Sequence, residues 1–361
     1  MTTPSDPAGS DLENTLRRLD QAAAEPVLRR ELFPAPVTIE SLDLLRDRDS
    51  FLCRARSTDG AEGICVSNDK QIASLYPIFN RRLRPFFLGK DARDLEALLD
   101  GVYVHGSNYK LQGLALWLPL ATIEFALLDL LGRTAGRPLT EVIGEIRHPS
   151  VSIYQANNNR GRSAEETLER IQAGLAKTQA KAIKIKVGGR MGLPEEPPGR
   201  SEALIPLVRE TLGSEMVLYA DANGSYDVAE GLGIGRLLEE ARFSFFEEPV
   251  PFDHYEETRQ VARGLGLPIA GGEQEASLRN FRWLLSRGAL QIAQPDLFYC
   301  GGMIRSTRIA RMAATVGATC VPHLSGTGLG LLYNLLFVAT LPNAGPYHEF
   351  KDFDQSIPLE C

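Results

Sequence analysis

The chain has 361 residues, of which 43% are hydrophobic and 24% are charged. At about 150 residues per domain this length predicts roughly two domains, with enough apolar surface to fold without disulfides or a structural metal. The 46 acidic residues outnumber the 39 basic ones and give a formal net charge of −7. This balance argues against nucleic acid or an anionic membrane as the partner.

Cysteine usage and the N-terminal sequence predict a cytoplasmic protein. The chain has five cysteines and no CxxC pair, so neither a disulfide framework nor a zinc knuckle is expected. The first residues lack the basic and apolar regions of a signal peptide. The most apolar stretch, residues 111–132, contains Pro119, Glu124 and Asp129. It is predicted to be a buried helix and not a membrane span.

Residues 1–146 are predicted to form an arm followed by a small domain. Residues 1–33 are polar and are typical of a mobile or loosely docked arm, with one possible helix at 11–32. A strand-like run starts at Val37, and two alternating runs flank an Asp59-Gly60 turn, which predicts an antiparallel hairpin. Helical patterns then continue to about residue 145, so we expect an α+β domain over 34–146.

The pattern changes over residues 147–350, where eight short apolar runs alternate with amphipathic stretches. The runs begin near residues 151, 182, 216, 243, 267, 290, 319 and 346. Eight regular units predict an α/β fold closed into a TIM-like (β/α)8 barrel, with an open doubly wound sheet as the alternative. Residues 351–361 are predicted to form a C-terminal tail.

Polar residues end the predicted barrel strands, and such barrels carry their active sites at that end. Lys184 and Lys186 alternate with apolar residues in the second strand. Both side chains therefore face the barrel interior, unless the strand is a solvated edge. Two buried ammonium groups require counter-charges nearby.

Three carboxylates end the next three strands, each about one βα unit after the last: Asp221, Glu247 and Glu273. A single acid at a strand end is more often a helix N-cap, but three in register beside two lysines predict a common site. Converging carboxylates repel one another, and a hard cation such as Mg²⁺ relieves the repulsion while leaving positions open for substrate.

Asp296 and His323 end the sixth and seventh strands. A carboxylate beside an imidazole orients the ring and raises its basicity. A lone histidine at a strand end is more often structural, but this partner favours a general base that faces Lys186 across the barrel mouth.

These motifs, taken together, resemble the enolase superfamily and within it the mandelate racemase subgroup. The resemblance covers about residues 35–350 and rests on Lys184-Ile-Lys186, Asp221-Ala-Asn223, Glu247-Glu-Pro249, Gly272-Glu273, Gln294-Pro-Asp296 and His323. The muconate-lactonizing and dipeptide-epimerase branches usually carry a lysine base on the sixth strand, where this chain has Asp296. The resemblance implies a modified, (β/α)7β-like barrel with residues 34–146 as a capping domain that selects the substrate.

The resemblance also implies roles for single residues. The Mg²⁺ ligands would be Asp221, Glu247 and Glu273. The two acid/base groups would be Lys186 and His323, the latter oriented by Asp296. Near the substrate carboxylate we expect Lys184 and Glu349, with a further substrate contact from Asn223. Apart from the resemblance, the polar run after the first strand makes Gln155 a candidate contact for a polyol, although such a run is equally normal in a turn.

The implied reaction is Mg²⁺-dependent abstraction of the proton α to a carboxylate through an enediolate intermediate. Subgroup members with a His–Asp pair are mostly acid-sugar dehydratases. We therefore expect a hydro-lyase of carbohydrate-acid catabolism that converts an aldonate or aldarate to a 2-keto-3-deoxy acid. The alternatives are an isomerase, that is a racemase or epimerase of a 2-hydroxy acid or amino-acid derivative, and a non-catalytic metal-binding scaffold. The expected partners are a small carboxylate substrate and further copies of the chain, with no nucleic acid and no membrane.

Two features depart from the subgroup. An extra Gly/Pro-rich loop over residues 188–200 either shapes the mouth of the barrel or bulges outwards. The chain also ends soon after the eighth strand, so we expect the C-terminal return to the capping domain to be truncated.

Overall fold

The computed structural model of the chain describes residues 9–326 and 328–351. This part of the chain contains two sheets. The first is antiparallel and consists of β1 (Ile39–Asp47), β2 (Ser50–Ser57) and β3 (Glu62–Val66). The second is parallel and consists of β4 (Ile153–Ala156), β5 (Ala182–Lys186), β6 (Val217–Asp221), β7 (Phe245–Glu247), β8 (Ile269–Gly271), β9 (Ile292–Ala293), β10 (Thr319–Cys320) and β11 (His348–Phe350).

The α-helices fall into two groups. Those before the parallel sheet are α1 (Gly9–Ala24), α2 (Asp69–Ile78), α3 (Arg84–Phe87), α4 (Leu95–Val104), α5 (Leu114–Ala135) and α6 (Leu139–Ile143). Those between its strands are α7 (Ala164–Thr178), α8 (Arg200–Leu212), α9 (Val228–Glu240), α10 (Tyr255–Gly264), α11 (Leu278–Ser286), α12 (Met303–Thr315) and α13 (Leu329–Thr340).

The parallel strands form a barrel in which eight strands alternate with seven helices. Their order is β10-β9-β8-β7-β6-β5-β4-β11, and a parallel bridge between Cys320 and Ala344 joins β10 to the segment that leads into β11. All eight apolar runs identified in the sequence are strands. The predicted (β/α)7β-like barrel is therefore confirmed, and the open doubly wound alternative is wrong.

Aromatic rings fill the barrel below its C-terminal end. Tyr219 and Phe245 stack with their ring centroids 3.9 Å apart, and Tyr154 meets Tyr219 edge-on at 5.2 Å. Side chains two positions apart on a strand share a face. The inward side chains that follow Tyr219 and Phe245 are thus Asp221 and Glu247, which lie directly above this apolar floor.

Helix α5 ties the three-stranded sheet to the barrel. It is long and apolar enough to cross a membrane, but most of it is buried inside the protein, as predicted for this stretch. The carboxylate of Glu124 accepts hydrogen bonds from the backbone N–H groups of Met303 (2.6 Å) and Ile304 (2.9 Å) at the start of α12. Burial raises the pKa of Glu124 to about 8 against the effect of these donors.

Gly302 makes this contact possible. A Cβ atom at this position would lie 1.9 Å from Glu124, and the residue has φ of 109°. Only glycine fits both the close approach and the backbone conformation.

The N-terminal region differs from the prediction in length and in packing. The helix predicted over 11–32 ends at Ala24, because Pro26 disfavours helical backbone at the residue before it. Leu19 is fully buried in a cluster with Phe281, Leu285 and Ile309 of the barrel helices. Residues 9–24 of the arm predicted over 1–33 are therefore docked, whereas its residues 1–8 lie outside the described residues.

The predicted tail, residues 351–361, lies outside the described residues except for Lys351. The two sheets fall within the predicted domain limits of 34–146 and 147–350, which themselves stay predictions.

Truncating the α1 anchor tests its docking. Leu19→Ala removes a fully buried side chain, so we expect the free energy of unfolding to fall by about 3 kcal/mol in urea denaturation. The exposed Arg17 lies on the same helix, and Arg17→Ala should change the free energy of unfolding by less than about 0.5 kcal/mol. Equal, small effects of both substitutions would mean that α1 is a loose arm after all.

His348 makes stability depend on pH. Burial lowers the pKa of His348 from 6.5 to about 4, and its Nδ1 atom has no hydrogen-bond partner among the described residues. As the pH falls, His348 is therefore protonated in the unfolded chain before it is protonated in the folded protein. The contribution of neutral His348 to the free energy of unfolding is fully present above pH 6.5 and is lost as the pH falls towards 4. When the pH is lowered from 7 to 5, the free energy of unfolding measured in urea should fall by about 2 kcal/mol more for wild type than for His348→Gln. Parallel losses in the two proteins would contradict this assignment.

Candidate active site

Strand register builds the centre of the site. Lys186, Asp221 and Glu247 are register neighbours on β5, β6 and β7, and Glu273 follows β8 by two residues. Asp221, Glu247 and Glu273 are buried, and each offers an oxygen within 4.8 Å of the oxygens of the other two. The structure thus brings the three predicted carboxylates together.

The electrostatics of this cluster are those of crowded anions. Burial, followed by the charge of Asp221, raises the pKa of Glu247 to about 8 although Lys184 opposes the shift. Burial also acts on Asp221, but Lys186, Lys184 and Arg160 outweigh it and hold the pKa of Asp221 below its usual range. A cation among these oxygens would relieve the repulsion.

The donor set fits a divalent cation. Three carboxylates supply the hard oxygen ligands that Mg²⁺ prefers, and three ligands leave further coordination positions for substrate or water. Asp221, Glu247 and Glu273 are the residues that could hold it.

Lys184 lies on the inner side of the cluster, and its contact with a substrate carboxylate stays a prediction. Its side chain is 1% exposed and its Nζ atom lies 2.7 Å from Glu247 and 3.0 Å from Glu349. The ammonium is enclosed between these two carboxylates because β5 places Lys184 one inward position deeper than Lys186. It compensates buried charge.

Lys186 lies nearer the mouth and is held by Asp221 and by the Oδ1 atom of Asn223, 3.1 Å away. Asn223 has a positive φ of 46° and accepts a second hydrogen bond from Arg160 at 2.8 Å. Arg160 also donates to the carbonyl oxygens of Val187 and Asp221. Asn223, predicted to contact substrate, thus contacts the lysine in this structure.

His323 and Asp296 form the predicted pair. Backbone pairing brings the two residues together across β9 and β10, and Nδ1 of His323 lies 2.7 Å from Asp296. The other oxygen of Asp296 accepts from the N–H groups of Phe298 and Tyr299, both at 2.9 Å. A carboxylate fixed in this way sets the orientation of the ring and leaves Nε2 facing the cavity.

Two charged groups contact Nε2 of His323. Glu273 lies 3.2 Å away and the ammonium of Lys351 lies 2.8 Å away. Burial lowers the pKa of His323, but Glu273, Glu349 and Asp296 outweigh burial and Lys351, and the net shift is upward. Sequence reasoning missed Lys351, although its position just after the last barrel strand was the signal that identified the other residues.

The remaining two predicted substrate contacts differ in outcome. Glu349 is buried, accepts the N–H of Leu324 at 2.8 Å and lies 4.0 Å from Nε2 of His323, so it belongs to the cluster. Gln155 lies outside the cluster, and its contact with substrate stays a prediction. Its side chain packs against Gly174 and Thr178 of α7, because Tyr154 takes the inward position on β4 and Gln155 therefore points outward.

A cavity of about 550 Å³ opens above these groups, a size typical of small-molecule sites. Barrel residues Glu273 and His323 line it, together with Asn68, Lys70 and Gln71 of the N-terminal region. Arg190 of the 188–200 loop also lines it, so the start of this loop shapes the mouth. Sequence reasoning did not identify Lys70 or Arg190, since neither lies at a strand end.

These features define a barrel enzyme with a carboxylate cluster between a lysine and a histidine, and comparison with known proteins identifies its family. A family model described as "Enolase C-terminal domain-like" matches residues 166–360. The chain is 30% identical to the D-galactarolactone cycloisomerase of Agrobacterium fabrum, over 75% of this chain and 71% of that protein. It is 29% identical to the arabinonate dehydratase of Saccharolobus solfataricus, over 72% and 68% respectively.

The fold agrees with this assignment. The mandelate racemase/muconate lactonizing protein of Paracoccus denitrificans, whose crystal structure is a complex with magnesium, superposes with a TM-score of 0.80 at 28% identity. The match covers 89% of this chain and 88% of that one. The chain therefore belongs to the enolase superfamily, in the mandelate racemase/muconate lactonizing enzyme family, and the resemblance found in its motifs is confirmed.

Calorimetric titration with Mg²⁺ tests the carboxylate cluster. We expect saturable binding to wild type and at least roughly tenfold weaker binding to Glu273→Gln, because a neutral amide replaces one of three anionic ligands. Glu240 is exposed on α9, and Glu240→Gln should leave the affinity unchanged. Binding that is insensitive to Glu273→Gln would exclude this cluster as the site.

Proposed function

We propose that this protein is a Mg²⁺-dependent acid-sugar dehydratase that removes the proton α to a carboxylate and then a β-hydroxyl group as water. The observation that carries the proposal is that the carboxylate cluster lies between two buried proton-transfer groups, Lys186 and His323. Among the relatives, one is named an arabinonate dehydratase and one a D-galactarolactone cycloisomerase, so chemistry on sugar acids is common to both.

The two groups approach the cluster from different directions. Lys186 ends β5 and His323 follows β10, and four strands separate β5 from β10 in the sheet order. A carbon atom held above Asp221, Glu247 and Glu273 therefore has an ammonium or amine on one face and an imidazole on the other. Such an arrangement serves proton abstraction on one side and proton donation on the other.

The cation contributes charge, and the chain contributes the proton transfers. Mg²⁺ bound by Asp221, Glu247 and Glu273 would supply positive charge beside the substrate carboxylate, where negative charge develops as the α proton leaves. Lys186 takes the α proton in its neutral form. His323 donates a proton from Nε2 to the β-hydroxyl group, the C–O bond breaks and water leaves. The resulting enol tautomerises to a 2-keto-3-deoxy acid.

Asp296 supports the histidine step. Its carboxylate accepts from Nδ1 at 2.7 Å, which stabilises the imidazolium that exists before the proton is given up. The two backbone N–H groups on its other oxygen keep the carboxylate in place.

Replacement of the proton-transfer groups tests their role. Lys186→Met and His323→Asn should each lower kcat by at least about 10²-fold, because general acid–base groups contribute that much or more. Folding and Mg²⁺ binding should persist in both variants. Lys181 is exposed and directly precedes β5, at the end opposite to Lys186, so Lys181→Met is the matched control with unchanged kcat. Full activity of Lys186→Met or of His323→Asn would refute the mechanism.

A screen of aldonates and aldarates with Mg²⁺ in deuterated water separates the reaction types. We expect a 2-keto-3-deoxy acid product, detected as its semicarbazone. Deuterium incorporation at the α-carbon without a keto product would identify a racemase or epimerase. Absence of both, with Mg²⁺ bound, would favour a non-catalytic scaffold and would overturn the proposal.

A further inference from the structure

The cavity above the site carries a surplus of positive charge at its rim. Lys70, Arg190 and Lys351 line it, and among its lining residues Glu273, itself part of the carboxylate cluster, is the acidic one. This concentration stands out in a chain with a net charge of −7.

These cations come from three separate parts of the chain. Lys70 lies in the first turn of α2, Arg190 in the loop after β5, and Lys351 directly after β11. Local sequence therefore does not explain their meeting at one cavity. Lys70 and Arg190 are exposed and Lys351 has a side chain that is 31% exposed, so all three are accessible from the cavity.

Lys70 and Arg190 differ in their partners from the cations deeper in the site. Lys184, Lys186 and Arg160 each contact carboxylates or carbonyl oxygens. Within residues 9–326 and 328–351, the side chains of Lys70 and Arg190 form no ion pair and no hydrogen bond. Such unpaired charges around a cavity attract an anion.

Lys351 adds a second, independent argument. Its ammonium lies 2.8 Å from Nε2 of His323, which is the atom that must be free to exchange a proton with substrate. Its other charged neighbour, Glu349, is 3.6 Å away. An anionic group at the rim would give Lys351 an alternative partner and so release Nε2 for the reaction.

We propose that Lys70 and Arg190 form a subsite for a second anionic group at the end of the substrate remote from the reacting carbon, and that Lys351 lies between this subsite and His323. This inference rests on the proposed function and narrows it: the substrate is a dianionic acid sugar, bound at one end by the carboxylate cluster and its cation and at the other by Lys70 and Arg190. A terminal carboxylate, as in an aldarate, and a terminal phosphate share the required chemistry.

Matched substrates separate these possibilities. The Mg²⁺-loaded enzyme is assayed with galactonate, galactarate and 6-phosphogalactonate, and with the corresponding gluconate series. We expect kcat/KM to be higher for a dianionic member than for the aldonate of the same configuration, and the carboxylate and phosphate arms identify the anion. Equal or higher kcat/KM for the aldonates of both series would overturn the proposal.

Substitutions at the rim test the residues. Arg190→Gln and Lys70→Gln should each reduce the dianion-to-aldonate ratio of kcat/KM by roughly tenfold, mainly through KM, because each removes one charge that acts on the second anion. The controls are Arg236→Gln and Lys181→Gln, which change exposed residues away from the cavity and should preserve the ratio. A ratio that both rim variants leave intact would reject the subsite.

Direct binding distinguishes failure of this inference from failure of the proposed function. Calorimetry with galactarate and galactonate on the Mg²⁺-loaded protein measures the preference without turnover. Tighter binding of galactarate that Arg190→Gln removes would support the subsite even if no acid sugar were dehydrated. Dehydration of acid sugars without any preference for the dianion would leave the proposed function intact and refute the subsite.

Discussion

Compensation of buried negative charge is the constraint on which the rest of this molecule depends. The carboxylates of Asp221, Glu247, Glu273 and Glu349 lie within the barrel end, and each is almost wholly buried. Lys184 and Lys186 place two ammonium groups between them. Removing one member of a buried ion pair typically costs about 3–5 kcal/mol because the other charge is left without a partner. The cluster is therefore stable only as a set.

The barrel geometry makes this compensation of charge possible. Lys184 and Lys186 can both reach the cluster because they are two positions apart on a strand whose flanking residues, Ile183 and Ile185, pack outward. The aromatic floor beneath excludes water from below, which strengthens every charge interaction above it. The same exclusion makes the open side of the cluster, towards the cavity, the direction from which a ligand enters.

Much of this arrangement could be predicted from the sequence, because strand-end residues of a parallel barrel meet at one edge whatever the loops do. Asp221, Glu247, Glu273 and the Asp296–His323 pair follow from that rule. Lys184 was assigned to the correct face, but its depth could not be predicted, since depth depends on where the floor ends.

Other residues were beyond the reach of strand-end reasoning. Gln155 follows an inward tyrosine, and the direction of a four-residue strand is ambiguous by one position. Arg160, Lys70 and Arg190 lie in loops or at a helix start, where no periodicity fixes side-chain direction. The role of Arg160 follows from its contact with Asn223, which lies far away in the chain, and those of Lys70 and Arg190 follow from their position at one cavity.

The hydrogen bonds between Glu124 and the start of α12 affect how the N-terminal region and the barrel of such proteins can be recombined. Helix α12 follows the loop that carries Asp296, so the N-terminal region grips the barrel close to a residue that orients the histidine. An exchange of N-terminal regions between relatives would keep this contact under two conditions. The new helix would need an acidic residue at the position of Glu124, and the barrel would need a glycine at the position of Gly302. Recombination in this architecture is thus restricted. A new N-terminal region can supply different cavity-lining residues, but only if it comes from a relative that makes the same contact with the start of α12.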